Sequence, residues 1–139
     1  MRGGGLPSPC VALLWSPMIS GLDHVQVAMP AGREDDARRF YCGLLGLQEI
    51  EKPAPLSVRG GLWVALPDRR QLHLGVDPEF IPARKAHPAL VVSELDAFAR
   101  KVAAAGCIVN WDTGLPGIRR FYSEDPFGNR LEFMAAAEE

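Results

Sequence analysis

The stretch that decides the fold is DPFGNRLE, which runs from Asp125 to Glu132. Its first five residues combine the residue types that favour a tight turn. From Arg130 onward the polarity alternates, so Leu131 and Phe133 share one face of a predicted strand and Glu132 points to the other. We therefore expect the chain to end in a strand that covers a core on one face and carries a carboxylate on the opposite face.

The elements before this strand follow one pattern twice, which is the mark of an internal repeat. In each half a strand is followed by an apolar stripe at helical spacing, then by a glycine, Gly46 or Gly106, where a helix should end. The predicted strands are 22–29, 47–51, 62–66 and 71–76 in the first half, and 86–92, 108–111, 119–123 and 130–134 in the second. Each half is therefore predicted to be a βαβββ module.

The repeat also sets the predicted domain boundaries. We expect a loose N-terminal tail over residues 1–20, a first module over 21–78, a linker over 79–85 and a second module over 86–136. Residues 1–17 show no repeating pattern and precede a second methionine, Met18, so we expect them to take no part in function.

Composition excludes several classes of function. The net charge of −2 and the scattered basic residues argue against nucleic acid as a partner. No apolar run reaches the length of a membrane span, so we expect no membrane association. The three cysteines form no C-x-x-C pair and no even disulfide framework, which predicts a cytoplasmic protein with reduced thiols.

Every histidine in the sequence, together with one glutamate, falls at a repeat-related position in a predicted strand. The spacing is 63 residues from His24 to His87 (87 − 24) and 59 from His73 to Glu132 (132 − 73). We interpret these four side chains as ligands of one divalent metal ion, the alternative being a polar pocket without metal. Three imidazoles and one carboxylate suit Zn²⁺, Ni²⁺, Co²⁺, Fe²⁺ or Mn²⁺ better than Ca²⁺ or Mg²⁺.

Three further residues are candidates for substrate binding. Gln26 lies two residues from His24 on the same strand face, and Tyr122 shares a face with Arg120. Arg120 would pair with an anionic group of a substrate, the alternative being a solvated strand arginine.

These motifs together resemble the vicinal oxygen chelate superfamily, which includes glyoxalase I, bleomycin resistance proteins and extradiol dioxygenases. The resemblance covers residues 20–136 and is carried by GLDHV (21–25), FY (40–41), LLGL (44–47), LHL (72–74), His87 and DPFGNRLE (125–132). It implies an α+β fold in which two βαβββ modules form a curved, partly open mixed β-barrel with the helices outside. It also implies that the metal ligands are His24, His73, His87 and Glu132, and that the protein is a homodimer whose site can combine halves of two chains.

The resemblance leaves several functions open because one fold supports several reactions. The first hypothesis is a metal-dependent lyase or isomerase of the glyoxalase type, in which Glu132 is both ligand and proton-transfer base. It would act on a small metabolite that carries two neighbouring oxygens. The alternatives are a non-catalytic drug- or toxin-binding protein and an extradiol-type dioxygenase, for which His24, His87 and Glu132 would hold iron.

Overall fold

The structure, a computed structural model, describes residues 15–137 and contains two four-stranded mixed sheets. The strands of the first sheet are β1 (His24–Met29), β2 (Gln48–Ile50), β3 (Leu62–Ala65) and β4 (Gln71–Val76). Those of the second are β5 (Ala89–Val92), β6 (Asn110–Asp112), β7 (Arg120–Glu124) and β8 (Arg130–Ala135). The strand orders are β1-β4-β3-β2 and β5-β8-β7-β6, with parallel pairing only between β1 and β4 and between β5 and β8. The predicted α+β class and repeated strand pattern are confirmed, and the sheets remain open.

Four short helical segments accompany the sheets. Helix α1 (Glu34–Ala37) runs directly into a π-helical segment (Arg38–Leu44), α2 is Ala54–Ser57 and α3 is Leu95–Ala104. The apolar side chains that the sequence places at helical spacing in the first half are buried as expected: Ala37, Phe40 and Tyr41 all lie in the core. The π-helical part was not anticipated, because apolar residues three and four apart lie on one side of either kind of helix.

The start of β5 differs from the sequence prediction. The predicted strand covered 86–92, but pairing with β8 begins at Ala89. Pro88 has no N–H to donate to a neighbouring strand, although its carbonyl accepts from the Glu132 N–H at 3.1 Å. His87 therefore lies just before the strand and not in it, which corrects the expectation that every histidine is a strand residue.

A buried polar network around the DPFGN turn joins the two halves. Asp125 accepts hydrogen bonds from the Tyr41 hydroxyl at 2.8 Å and from the backbone N–H groups of Phe127 and Asn129. The Asn129 amide group donates to the Ala28 carbonyl at the end of β1 and to Asp125. Burial, followed by the charge of Asp125, raises the pKa of Tyr41 well above its usual range, so the phenol stays protonated and donates. The turn motif is thus a structural connection between modules.

The tail and the cysteines are only partly within the described chain. Residues 1–14, which include Cys10, lie outside it, and residues 15–23 form no helix or strand. Cys42 and Cys107 are half-buried free thiols, and burial raises the pKa of each. None of the helices between residues 15 and 137 has the length and apolar character needed to cross a membrane.

Replacing Gly61 by alanine should lower the free energy of unfolding by about 2–3 kcal/mol. Gly61 has a φ of 86°, and a Cβ there would lie 2.2 Å from the Leu74 carbonyl oxygen of the neighbouring strand, so the backbone would have to move. Urea denaturation measures the effect. Gly43→Ala is the matched control, because its Cβ would come no closer than 3.9 Å to the Arg38 carbonyl oxygen. Equal stability of the two variants would contradict the prediction.

Candidate functional site

The four predicted metal ligands form two pairs on different sheets. His24 at the start of β1 is stacked on His73 of β4, with ring centroids 4.1 Å apart. His87 contacts Glu132 of β8, with 2.9 Å between Nε2 and Oε1. No three His, Cys, Asp or Glu side chains of the described chain are close enough together to hold a metal ion. The four candidate ligands of one chain therefore lie in two separate pairs, referred to below as the two candidate half-sites.

The His87–Glu132 pair is held in a geometry that calls for a cation or a proton between its two atoms. His87 Nδ1 lies 2.7 Å from the Lys85 carbonyl oxygen, which can only accept, so Nδ1 carries a hydrogen and donates it. In a neutral imidazole Nε2 is then a lone pair, and it faces the Glu132 carboxylate oxygen. Two acceptors at this distance repel each other unless a proton or a metal ion lies between them.

The chemistry of this pair also suits metal coordination. Imidazole nitrogen and carboxylate oxygen are both ligand atoms for transition metals, and here they lie 2.9 Å apart, which is also an ordinary hydrogen-bond distance. A ligating histidine usually donates its other ring N–H to a carbonyl or carboxylate, as His87 does to Lys85. Glu132 is 6% exposed, so its charge is poorly hydrated without a partner.

Arg120 lies beside this pair, but its guanidinium is engaged by carboxylates of the same chain. It forms an ion pair with Asp112 of β6 at 2.6 Å and a longer one with Glu132 Oε2 at 3.4 Å. Hydrogen bonds from the Gly114 N–H and from Arg120 lower the pKa of Asp112, and that carboxylate in turn raises the pKa of Arg120. Sequence reasoning missed Asp112, because nothing in the sequence shows that Asp112 and Arg120 are paired across β6 and β7.

Tyr122 adjoins the same pair. Its ring meets that of His87 edge-on, with centroids 5.4 Å apart, and it lies opposite Glu132 in the β7–β8 ladder. The predicted candidates Arg120, Tyr122, His87 and Glu132 are thus brought together on one face of the second sheet.

The other half-site is a stack of three rings. His73 lies between His24 and Trp63, at centroid distances of 4.1 Å and 3.9 Å and interplanar angles of 16° and 4°. Its Nε2–H donates to the Gln71 side-chain oxygen at 2.8 Å. Burial, followed by the charge of neighbouring His24, lowers the pKa of His73, so the ring is held neutral.

This stack restricts how the two histidines can share an ion. An imidazole lone pair lies in the plane of its ring, and two nearly parallel rings about one ring thickness apart have no common ligand position. His73 is only 4% exposed and fixed on both faces, whereas His24 is exposed and contacts Asp23 at the surface. His24 would therefore have to turn away from His73 before both could bind one metal ion.

Gln26 lies on the same face of the first sheet. It is opposite His73 in the β1–β4 ladder, and its side chain covers Gly75, where a Cβ would be 2.5 Å from Gln26 Nε2. A glycine at position 75 is what leaves room for Gln26 beside the histidines.

Comparison with known proteins identifies the fold family. The family model of the Glyoxalase/Bleomycin resistance protein/Dioxygenase superfamily matches residues 21–133. The chain belongs to this superfamily. A solved structure of a protein from Bacillus anthracis, assigned to the glyoxalase family, is 45% identical with a TM-score of 0.83, covering 87% of this chain and 98% of its own. A comparison with curated proteins finds no match.

More distant members of the superfamily share the fold but differ in activity. A lactoylglutathione lyase from Agrobacterium tumefaciens is 18% identical with a TM-score of 0.68, over 87% of this chain and 97% of its own. The antibiotic-binding protein TnmS3 from Streptomyces sp. CB03234 is 23% identical with a TM-score of 0.68, over 86% and 98%. At these identities the likeness shows the fold alone.

Members of the superfamily generally use a divalent metal ion, bind small molecules and often form dimers. The donor set of this chain fits such an ion in its chemistry, with His87 in contact with Glu132 and two imidazoles on the other sheet.

Proposed function

We propose that the protein is a metal-dependent lyase or isomerase that acts on a small metabolite with two neighbouring oxygens. The observation that carries the proposal is the approach of His87 Nε2 to Glu132 Oε1 at 2.9 Å while His87 donates its other N–H to Lys85. His24, His73, His87 and Glu132 are the proposed ligands. A bound divalent ion would supply Lewis-acid polarisation of the substrate oxygens.

Glu132 is the proposed proton carrier. A carboxylate beside the polarised group can take a proton from a carbon next to a carbonyl and return it to the neighbouring carbon, which isomerises the substrate without net oxidation. Arg120 faces the second carboxylate oxygen of Glu132 at 3.4 Å, so the first oxygen is the one proposed to move the proton. Tyr122, which lies opposite Glu132 in the β7–β8 ladder, would line the site beside the reacting carbon.

The two half-sites favour a site formed by two copies of the chain. We propose a homodimer in which the His24–His73 face of one copy meets the His87–Glu132 face of the other. Both β1 and β5 have only one hydrogen-bonded neighbour in the described chain, so each leaves an open sheet edge. Apolar side chains lie exposed on these strands, Val25 at 38% and Val91 at 65%, and Leu22, just before β1, is 70% exposed.

Metal analysis tests the proposal directly. We expect about one transition-metal ion per chain by elemental mass spectrometry on tag-free dimeric protein, lost in the double variant His24→Ala/Glu132→Ala. Glu51→Ala/Glu94→Ala removes two exposed glutamates and is the control that should keep its metal. Wild-type protein that takes up no metal after reconstitution, or a double variant that keeps it, would refute the metal site.

A second candidate function rests on the ring stack. One face of His24 is covered by His73 while the residue itself is exposed, so the stack offers a surface for a planar aromatic ligand. A non-catalytic binder of an aromatic drug or toxin would use it. Quenching of Trp63 fluorescence at one ligand per site, without product formation, would favour this function over the enzymatic one.

A further inference from the structure

We propose that Arg84 and Arg130 form a binding site for an anionic group, a carboxylate or a phosphate, next to the His87–Glu132 pair. A cavity of about 260 Å³ lies at one end of the β7–β8 ladder. Its lining includes Arg84, Arg130, Tyr122, Ser123, Glu124 and Asn110. As a substrate subsite the inference rests on the proposed function, whereas anion binding itself does not.

Both arginines are available to a ligand. Within residues 15–137, neither guanidinium forms an ion pair or a side-chain hydrogen bond, unlike Arg38, Arg119 and Arg120, which are paired with carboxylates. Arg84 is exposed and Arg130 half-buried, so Arg130 forms the inner wall. Two guanidinium groups without an ion-pair contact on one cavity favour an anion, because charge-assisted N–H···O bonds are strong and can be bidentate.

Backbone contacts hold the two arginines near each other across 46 residues of sequence (130 − 84). The Arg130 N–H donates to the Ala83 carbonyl at 2.8 Å, and the Ala83 N–H donates to the Asn129 side-chain oxygen at 2.9 Å. The segment that carries Arg84 is therefore fixed against the start of β8. This preorganisation lowers the entropy cost of binding an anion between the two side chains.

Tyr122 orients the Arg130 side chain. The Arg130 guanidinium lies over the Tyr122 ring, 3.8 Å from its centroid. Such stacking uses the face of the guanidinium and leaves the N–H groups at its edge free to donate. Tyr122 also meets His87 edge-on, so the same ring borders both the cavity and the metal half-site.

Of two other polar residues near the arginines, Glu124 and Ser123, only Glu124 bears on whether the cavity favours an anion. Glu124 is the one carboxylate among the described residues that line the cavity, against two guanidinium groups. Asp112, which Arg130 influences electrostatically, is paired with Arg120. Ser123 alternates with Tyr122 and Glu124 along β7, so its buried hydroxyl lies on the core side of the strand and takes no part in the proposed site.

The location of the cavity defines the substrate class. Arg130 pairs with Glu124 in the ladder, two residues from the pair of Glu132 with Tyr122. Two strand residues span about 6.7 Å. The proposed substrate is therefore a small metabolite that has its two neighbouring oxygens at one end and a carboxylate or phosphate a few bonds away.

Titration of ¹⁵N-labelled protein with inorganic phosphate and, separately, with acetate at constant ionic strength tests the site. We expect saturable shifts of the Arg84 and Arg130 side-chain and backbone signals with at least one of the two anions. Arg84→Gln/Arg130→Gln should weaken that binding by about tenfold or more. Glu124→Gln should strengthen anion binding severalfold, because it removes a carboxylate whose negative charge repels the anion.

The control Arg59→Gln/Arg100→Gln removes the same charge from two exposed arginines outside the cavity and should bind as wild type does. Thermal unfolding checks that all variants are folded. Binding of phosphate alone indicates a phosphorylated ligand, and binding of acetate alone a carboxylate. No saturable binding of either anion, or equal weakening in the control, overturns the proposal. The titration uses metal-free protein, so failure to bind metal would refute the proposed function and leave the anion site intact.

Discussion

Replacing Asn129 by alanine should lower the free energy of unfolding by about 3–5 kcal/mol. The side chain is 1% exposed and forms hydrogen bonds to the Ala28 carbonyl, the Asp125 carboxylate and the Ala83 N–H. Alanine would remove this partner from the part-buried Ala28 carbonyl and Ala83 N–H, and one of two donors from the Asp125 oxygen that also accepts from Tyr41. Each polar group left without a partner costs about 1–3 kcal/mol, with partial relaxation toward water. Urea denaturation followed by circular dichroism measures the loss.

Two further variants identify the cause. Asn129→Asp keeps the shape but removes both donors and places a second carboxylate beside Asp125, so it should destabilise at least as much as alanine. Asn110→Ala removes an exposed asparagine and should change stability by less than about 0.5 kcal/mol. A loss under about 1 kcal/mol for Asn129→Ala would show that water replaces the network at little cost.

Replacing Glu132 by glutamine should weaken divalent-metal binding by about 10–100-fold or more, because the variant keeps the shape but loses the charged ligand oxygen. If Glu132 also moves the proton, turnover should fall by about 10²–10⁴-fold. Competition with a metal-sensitive chelator measures the affinity, and turnover measured at saturating metal reports the proton-transfer role separately.

The control for this variant is Glu94→Gln. Glu94 is exposed, precedes α3 and forms no side-chain cap, so its loss should change neither metal affinity nor fold. When glutamine replaces Glu132, Arg120 keeps its closer partner Asp112, so the Glu132→Gln variant should still fold. Unchanged metal affinity in Glu132→Gln would mean that the His87–Glu132 contact is an ordinary ion pair and that the site does not hold metal.

Strand and helix positions followed from the sequence because periodicity is local. Alternation along 71–76 predicts β4 with Leu72 and Leu74 buried, and the structure has both at 1% exposure. The repeat predicted two equivalent sheets, and the family match over residues 21–133 agrees. The structure departs from the prediction at Pro88, which has no N–H to donate to a neighbouring strand. As a result β5 begins at Ala89, and His87 lies before it.

The same reasoning predicted only part of the candidate site. Polarity along a strand shows which residues share a face. It correctly placed Arg120 and Tyr122 on one face of β7, and Glu132 on the polar face of β8. It did not show that Asp112 neutralises Arg120, that Trp63 covers His73, or that Arg84 adjoins Arg130. These contacts depend on strand register and on the path of the linker.

The sequence by itself determined the repeated βαβββ pattern, the turn at Asp125–Asn129 and the faces on which His24, His73 and Glu132 lie. These are properties of short segments, set by steric and hydrophobic periods of a few residues. Only the tertiary structure decided that the four candidate ligands form two pairs on separate sheets and that two distant arginines line one cavity. Such proximity arises from packing between segments far apart in the chain, and no local period encodes it.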